Sequence, residues 1–478
     1  MNNLSPQPFK FGAIALAVTL ALAGCGDNDS SAKNHLIVFE NVTVIPMTDD
    51  TALENQTVIV RDGEIYDIGS SDVLEAPDGA TVIDGRGRYL MPGLADMHIH
   101  PLCGPQGCYY GQKEAEIYLA HGVTTVLSMQ DTSGTEQNLV KSELADPIKD
   151  GTLFGPTIYT ASFAGGADDI GGNVHATQVV TTEQQGRNHV INSKAQGYDF
   201  IKVYDGLTHL GFQGIKAQAE EEGMAIIGHF PQTDIVEALR DGLNMVAHAS
   251  AYGLFNINSG LGLPPISEAI AATVENHVYV NTTLTLNKKS VDLACANEEA
   301  LNSLKQQPHV KRYANSIELA LWSVYLQPIT NFLGENCSEQ AMANIYQGVL
   351  GYTNDLRNAG VKLVLGTDSP LVWGVPGYSA HEELQTLSEL PTITPYEVLT
   401  IATRNAGDFV ADWVPNSQPF GTIEIGKRAD LLLVEENPLI DVSHVQDQVG
   451  VMARGRWYTA EELATRLDNI ANEYAQTP

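Results

Sequence analysis

Gly93-Leu-Ala-Asp-Met-His-Ile-His100 is a short apolar run that ends abruptly in two histidines two residues apart. Residues 93–97 read as a buried strand, and their flanks show what kind of sheet it joins. Further apolar runs follow at Thr124–Ser128, Thr157–Ala161, Phe200–Tyr204, Ala225–Gly228, Asn244–Ala247, Val278–Thr283 and Lys362–Leu365. Stretches of helical period separate them. Eight strands alternating with helices predict an α/β fold, a (β/α)8 TIM barrel over residues 91–418. The seventh connection, about 287–351, is too long for a βα loop and reads as a helical insertion over the barrel mouth.

Barrels of this kind carry their chemistry at the C-terminal ends of the strands. Here those ends hold His98, His100, Lys202, His229, His248 and Asp368. One such residue means little; polar, metal-competent groups ending five strands of eight point to a site. Strand alternation sends His98 and His100 to the same side, where both imidazoles reach one ion. His229 and His248 come from adjacent strands and suit a second ion, and Asp368 offers a carboxylate ligand and a catalytic base. Lys202 is the odd member, because an ammonium repels cations and burial lowers its pKa. Its neutral amine can take up carbon dioxide, and the resulting carbamate bridges two metals. Two divalent ions, a carbamate, a carboxylate and a bridging hydroxide leave a net charge of about +1, which attracts a carbonyl oxygen.

Met91-Pro-Gly-Leu-Ala-Asp-Met-His-Ile-His100, Phe200-Ile-Lys-Val-Tyr204, Ile227-Gly-His-Phe230, Val246-Ala-His-Ala249, Leu365-Gly-Thr-Asp-Ser369 and Gly426-Lys-Arg-Ala-Asp-Leu431 together resemble the amidohydrolase superfamily, in its imidazolonepropionase-like and prolidase-like branch. The resemblance spans about residues 35–460. One departure is Val246-Ala247-His248, where the branch often has Ile-Glu-His. The resemblance implies a binuclear centre with His98, His100 and Asp368 on one ion, His229 and His248 on the other, and carboxylated Lys202 between them. Zinc is the natural occupant for such ligands, although manganese, iron, cobalt or nickel also suit them. The expected reaction is attack of a metal-bridging hydroxide on an amide carbonyl, with Asp368 as base and then acid. The expected substrate is a dipeptide or N-acyl amino acid. Alternatives are a cyclic-amide (imidazolonepropionase-like) or lactone hydrolase, a mononuclear deaminase without the lysine bridge, and a non-catalytic surface lipoprotein. Tyr204, His175 and His381 are candidate substrate contacts; Lys288 and Lys289 are weaker ones, and His121 reads as structural.

The ends of the chain carry other information. Residues 1–24 read as a lipoprotein signal peptide whose apolar run, Phe11–Gly24, is too short to span a bilayer comfortably. Leu22-Ala23-Gly24-Cys25 resembles a lipobox, which makes Cys25 the lipidation site and residues 25–34 a tether. With no Asp directly after Cys25, the resemblance favours export and anchoring in the outer membrane of the cell envelope. Short strands and turns over 35–90 and 419–460 predict one small β-sandwich domain built from both ends, with Asp62-Gly63 as a hairpin turn. Cys103, Cys108, Cys295 and Cys337 remain, and pairing 103 with 108 and 295 with 337 is the simplest of three connectivities. The net charge of -32, from 26 Lys+Arg against 58 Asp+Glu, argues against nucleic acid as a partner. A small-molecule substrate, membrane contact through the lipid anchor alone and an optional homo-oligomer complete the expectation.

Overall fold

The structure, a computed structural model, describes residues 36–104, 107–129, 138–166, 179–253, 265–295, 297–333 and 337–476. The expected signal peptide, the tether with Cys25, and His175 lie outside the described residues.

The N-terminal strands are β1 (Leu36–Val44), β2 (Leu53–Arg61), β3 (Glu64–Ser70), β4 (Thr81–Asp84) and β5 (Tyr89–Pro92). Asp62 and Gly63 both take left-handed backbone (φ 52° and 89°), as a two-residue hairpin between β2 and β3 requires. The barrel strands are β6 (Leu94–Ile99), β7 (Val123–Ser128), β8 (Thr157–Ala164), β9 (Phe200–Val203), β10 (Ala225–Gly228), β11 (Leu243–Val246), β12 (Tyr279–Asn281) and β13 (Leu363–Val364). The chain returns to the first sheet with β14 (Leu431–Val434), β15 (Gln448–Ala453) and β16 (Arg456–Thr459).

β6 to β13 pair in parallel and in chain order. The ring closes where Met97 N donates to Leu365 O (2.8 Å), Asp368 N to His98 O (2.8 Å) and His100 N to Ser369 O (2.9 Å). The closing bonds therefore run through the residues flanking the two histidines and the aspartate. Ala95, Met97, Leu127, Phe200, Ala225, Ile227, Met245 and Val364 form an apolar cluster with Phe409, Val410 and Phe420. Phe200 is followed two residues later by Lys202, and Ile227 by His229, so the alternation that fills the interior also delivers the polar rim. Some strands are shorter than expected: β12 stops at Asn281 because Thr283 turns left-handed (φ 46°).

In the second sheet, ordered β16-β15-β14-β5-β1-β2-β3 with β4 also on β1, the two ends of the chain meet at β14 and β5. Its core joins Phe39, Val42, Val58, Val60, Ile65 and Leu90 to Ile423, Leu431, Leu433 and Met452. The fold is thus a TIM barrel with a β-sandwich assembled from both termini.

Helices Leu284–Ala294, Asn297–Lys305, Pro308–Tyr313, Ser316–Leu333 and Glu339–Asn358 fill the connection between β12 and β13. Leu293, Leu301, Val310, Trp322 and Leu326 share one apolar cluster with Trp373 and Val375 of the loop after β13. Disulfides join Cys295 to Cys337 and Cys103 to Cys108. A final helix, Ala460–Gln476, was not foreseen. It buries Leu463, Leu467, Ile470 and Tyr474, an i, i+4, i+7, i+11 stripe that was legible as an amphipathic helix.

Candidate metal centre

The strand ends bring His98, His100, His229, His248 and Asp368 into one connected group. His98 Nε2 lies 3.3 Å from His100 Nε2, and His248 Nε2 lies 3.1 Å from His229 Nε2. Asp368 Oδ1 is 3.0 Å from His100 Nε2 and 3.5 Å from His98 Nε2, while its Oδ2 is 3.9 Å from His248 Nε2. His98, His248 and Asp368 each offer a ligand atom within 4.8 Å of the others.

The opposite ring nitrogens face outward. His98 Nδ1 sits 3.2 Å from Ala247 O, and His229 Nδ1 sits 3.0 Å from Asp205 Oδ1. Both partners only accept, so both Nδ1 atoms carry the proton and both Nε2 atoms present lone pairs. His248 Nδ1 meets Thr283 Oγ1 at 2.9 Å, completing a third outward anchor. His98 and His229 thus turn Nε2 lone pairs toward the space beside the Asp368 carboxylate, an arrangement that a cation between them would stabilise. The donor set therefore fits divalent metal, with the outer anchors that metal-binding histidines use. His100 Nδ1 is the exception; it is buried without a partner.

Electrostatics agree with the geometry. Burial pushes the imidazoles of His98, His100 and His248 below the usual histidine range, keeping them neutral and able to ligate. For Asp368 burial raises the carboxyl, while the hydrogen bond from His100 and positive charge on His98, His100 and His248 lower it, so its ionised form depends on positive charge at the centre. Lys202 is 1% exposed, and burial lowers its ammonium to about 8 against the pull of Asp368 and Asp205. Gly228, at φ +126°, makes room for this lysine: a Cβ there would stand 2.2 Å from Val203 O and 3.1 Å from Lys202 Cδ. An L-residue before His229 would be strained and crowded.

Residues 89–458 match the Amidohydrolase family, a span running from β5 through the barrel to β16. The chain belongs to the amidohydrolase family. It is accordingly a hydrolase acting on carbon–nitrogen bonds. This amidohydrolase is 25% identical over 427 residues to ochratoxinase from Aspergillus niger, covering 84% of this chain and 82% of that one. It is 22% identical over 418 residues to enamidase from Eubacterium barkeri, covering 84% and 86%. Among solved structures, it is similar in fold to a bottromycin amidohydrolase (TM-score 0.70, 19% identity, covering 91% of this chain and 90% of that one). A Xaa-Pro dipeptidase with bound methionine gives a TM-score of 0.66 at 19% identity, covering 89% and 100%.

The candidate substrate contacts fare differently. Tyr204 stacks on His229, with ring centroids 4.1 Å apart, so it stands beside the group. His381 is not brought to it: its Nε2 donates to His121 O at 2.9 Å, and it lines a cavity of about 420 Å3 with His121, His309 and Tyr378. The reason is helical phase. Residues two apart on a helix point about 200° apart, and Glu383 takes the direction that leads to the β12 end. Lys288 and Lys289 are held by Glu389 (2.5 Å) and Glu382 (2.6 Å), which removes them as free carboxylate binders.

Four supporting residues of this amidohydrolase had no assigned role from sequence: Asp96, Asp205, Thr283 and Glu383. Asp96 accepts from the backbone N–H groups of His98 (3.2 Å) and Thr367 (3.1 Å) and from Thr367 Oγ1 (2.6 Å), tying β6 to the loop after β13. Its place two residues before His98 was the available signal, as was the position of Asp205 directly after the apolar run Phe200–Tyr204.

Proposed function

We propose that the protein hydrolyses the amide-type C–N bond of a small substrate, a dipeptide or an N-acyl amino acid, with two divalent ions, zinc by ligand preference. The observation that carries the reading is the grouping of the ring nitrogens of His98, His100, His229 and His248 with the Asp368 carboxylate. His98, His100 and Asp368 would hold one ion and His229 and His248 the other, with Lys202 carboxylated between them. When bound, such ions polarise a carbonyl and lower the pKa of water. The protein's own part is then positional. Ala247 O, Asp205 and Thr283 hold the rings in register, and Asp368, kept ionised, takes a proton from the attacking water and returns it to the leaving nitrogen. That a Xaa-Pro dipeptidase and a bottromycin amidohydrolase share this fold supports an amide bond as the target.

A second reading has one ion, on His98, His248 and Asp368, and deamination as the reaction; the closeness of those three ligand atoms favours it. Metal analysis of protein lacking residues 1–25, run beside a panel of dipeptides, N-acyl amino acids, cyclic amides and lactones, separates the two. Two ions per chain with turnover of an amide supports the first reading. One ion, with ammonia released from an aminated heterocycle and no amide cleaved, supports the second.

The address belongs to the same proposal: cleavage after Gly24, acylation of Cys25 and a tether ending near Asn34 would hold the enzyme on the outer membrane. Incorporation of labelled palmitate into the full chain but not into its Cys25→Ser variant tests it.

A further inference from the structure

A cavity of about 420 Å3 lies where the barrel, the insertion, the sandwich and the final helix meet, and none of the metal-centre residues lines it. His121 follows helix Tyr109–Ala120, Tyr378 and His381 stand in helix Tyr378–Leu387, and His309, Arg312 and Tyr313 come from the insertion. Its walls are mainly rings: His309 stacks on Tyr378 with centroids 4.0 Å apart, and His121 meets Tyr313 edge-on at 5.1 Å. Two of the imidazoles have a settled tautomer. His381 Nε2 donates to His121 O at 2.9 Å and His121 Nδ1 to Ile117 O at 2.8 Å, so His381 Nδ1 and His121 Nε2 carry lone pairs. His381 is 4% exposed, and its Nδ1 is buried without a partner, as is His309 Nε2. A buried acceptor left unmet is costly, and a donor supplied by a ligand would relieve it.

We infer that this cavity is a second ligand site, for a small flat heteroaromatic molecule whose ring N–H donates to His381 Nδ1. The inference stands apart from the hydrolase reading, because no residue of the metal centre lines the cavity. Other occupants fit less well. Among the described residues, only His98, His248 and Asp368 bring three ligand atoms within 4.8 Å of one another, so these three imidazoles do not converge on an ion. An anion would find one guanidinium, Arg312, which is already paired with Asp468. An organic cation would meet that same guanidinium and no carboxylate on the walls. A flat ring buries its faces against the aromatic walls, and its N–H meets the buried acceptor. Burial lowers His121 to about 4 and His381 to about 3 and pushes His309 below its ordinary value, so the lone pairs persist through the neutral range.

Calorimetry on the metal-loaded full chain tests this with indole, which does not chelate metal, and with benzofuran, the same shape with an oxygen in place of the N–H. Indole should bind with a Kd of about 1 mM or tighter. Benzofuran should bind roughly 3- to 10-fold more weakly, the worth of one neutral hydrogen bond. Acetohydroxamate, a metal-chelating probe, should leave the indole affinity unchanged. His381→Gln keeps a donor for His121 O but offers no acceptor at the Nδ1 position, so it should bind indole and benzofuran equally. If that variant folds poorly, wild-type crystals soaked in 5-bromoindole give the answer: the anomalous signal of bromine should fall in the cavity lined by His121, His309 and His381. No indole binding, equal wild-type affinity for benzofuran, displacement by acetohydroxamate, an indole preference kept in His381→Gln, or bromine only elsewhere would each overturn the inference.

Discussion

Asp205 Oδ1 accepts the Nδ1 proton of His229 across 3.0 Å, and that bond decides which nitrogen of the imidazole faces the centre. A carboxylate there fixes the tautomer and makes Nε2 a better donor to metal. Asp205→Asn replaces an obligate acceptor with an amide that can turn its NH2 to the ring. Metal affinity should drop about 10- to 100-fold, measured by competition with a chromophoric chelator. An unchanged affinity would show that the ring is held by its Tyr204 stack alone.

Glu383 acts one step further out. Its carboxylate accepts from Thr282 Oγ1 (2.6 Å), Leu284 N (2.8 Å) and Thr285 N (2.7 Å), and these bonds straddle Thr283, whose hydroxyl meets His248. The left-handed turn at Thr283 and the start of helix Leu284–Ala294 both depend on this buried acceptor. Glu383→Gln leaves one N–H facing an NH2 group, an unpaired buried donor that costs about 1–3 kcal/mol. The expected result is a lower Tm with His248 loosened and metal lost from its side. A variant with wild-type Tm and full metal would remove Glu383 from the support of the site.

The barrel and the grouping of His98, His100, His229, His248 and Asp368 at its rim were legible in the sequence because both follow strand periodicity. An apolar run fixes the strand, and the next inward-facing residue, two positions after the last apolar one, stands at the rim, as Lys202 does after Phe200 and His229 after Ile227. What supports the ligands was hidden because it depends on how loops turn after the strands end. Thr283 serves His248 only through its left-handed backbone, and Glu383 arrives from a helix a hundred residues away in the chain. His381 departs from expectation for a related reason: its helix lies near the barrel, but a single sequence does not fix the helix's rotation about its own axis. The final helix was legible and overlooked, since Leu463, Leu467, Ile470 and Tyr474 spell out its buried stripe.

Two histidines remote from the centre predict an acid limit to stability. Burial lowers His121 to about 4, helped by Arg312 and His309, and lowers His381 to about 3, helped by His121. Both folded values lie below the ordinary 6.5, so the unfolded chain takes up protons first as pH falls. Stability is therefore full above 6.5 and declines as pH falls toward 4 and 3. His381→Gln keeps a donor for His121 O without a titrating ring. Its Tm against pH should be flatter than the wild type's between pH 6.5 and 4. Parallel curves would mean that other groups set the acid limit.

Lys202 offers the last test, that of the proposed carbamate. It is buried, its ammonium is lowered to about 8, and it stands near the imidazoles of His98, His100 and His248. A permanent ammonium there would weaken every ligand around it by like-charge repulsion. If the amine is carboxylated, the same side chain becomes an anionic ligand, and Lys202→Ala removes two donor oxygens. That variant should lose most of its metal and more than 90% of its turnover, in line with the roughly 10- to 100-fold effects of weakened metal support. Acetate or propionate fits the space left by the lost side chain and should restore part of both, in a concentration-dependent way. Lys202→Met, equally long and unable to be carboxylated, should be as poor as alanine and should not respond to short acids. Full metal and full turnover in Lys202→Ala would leave the lysine as a buried ammonium with no part in metal binding.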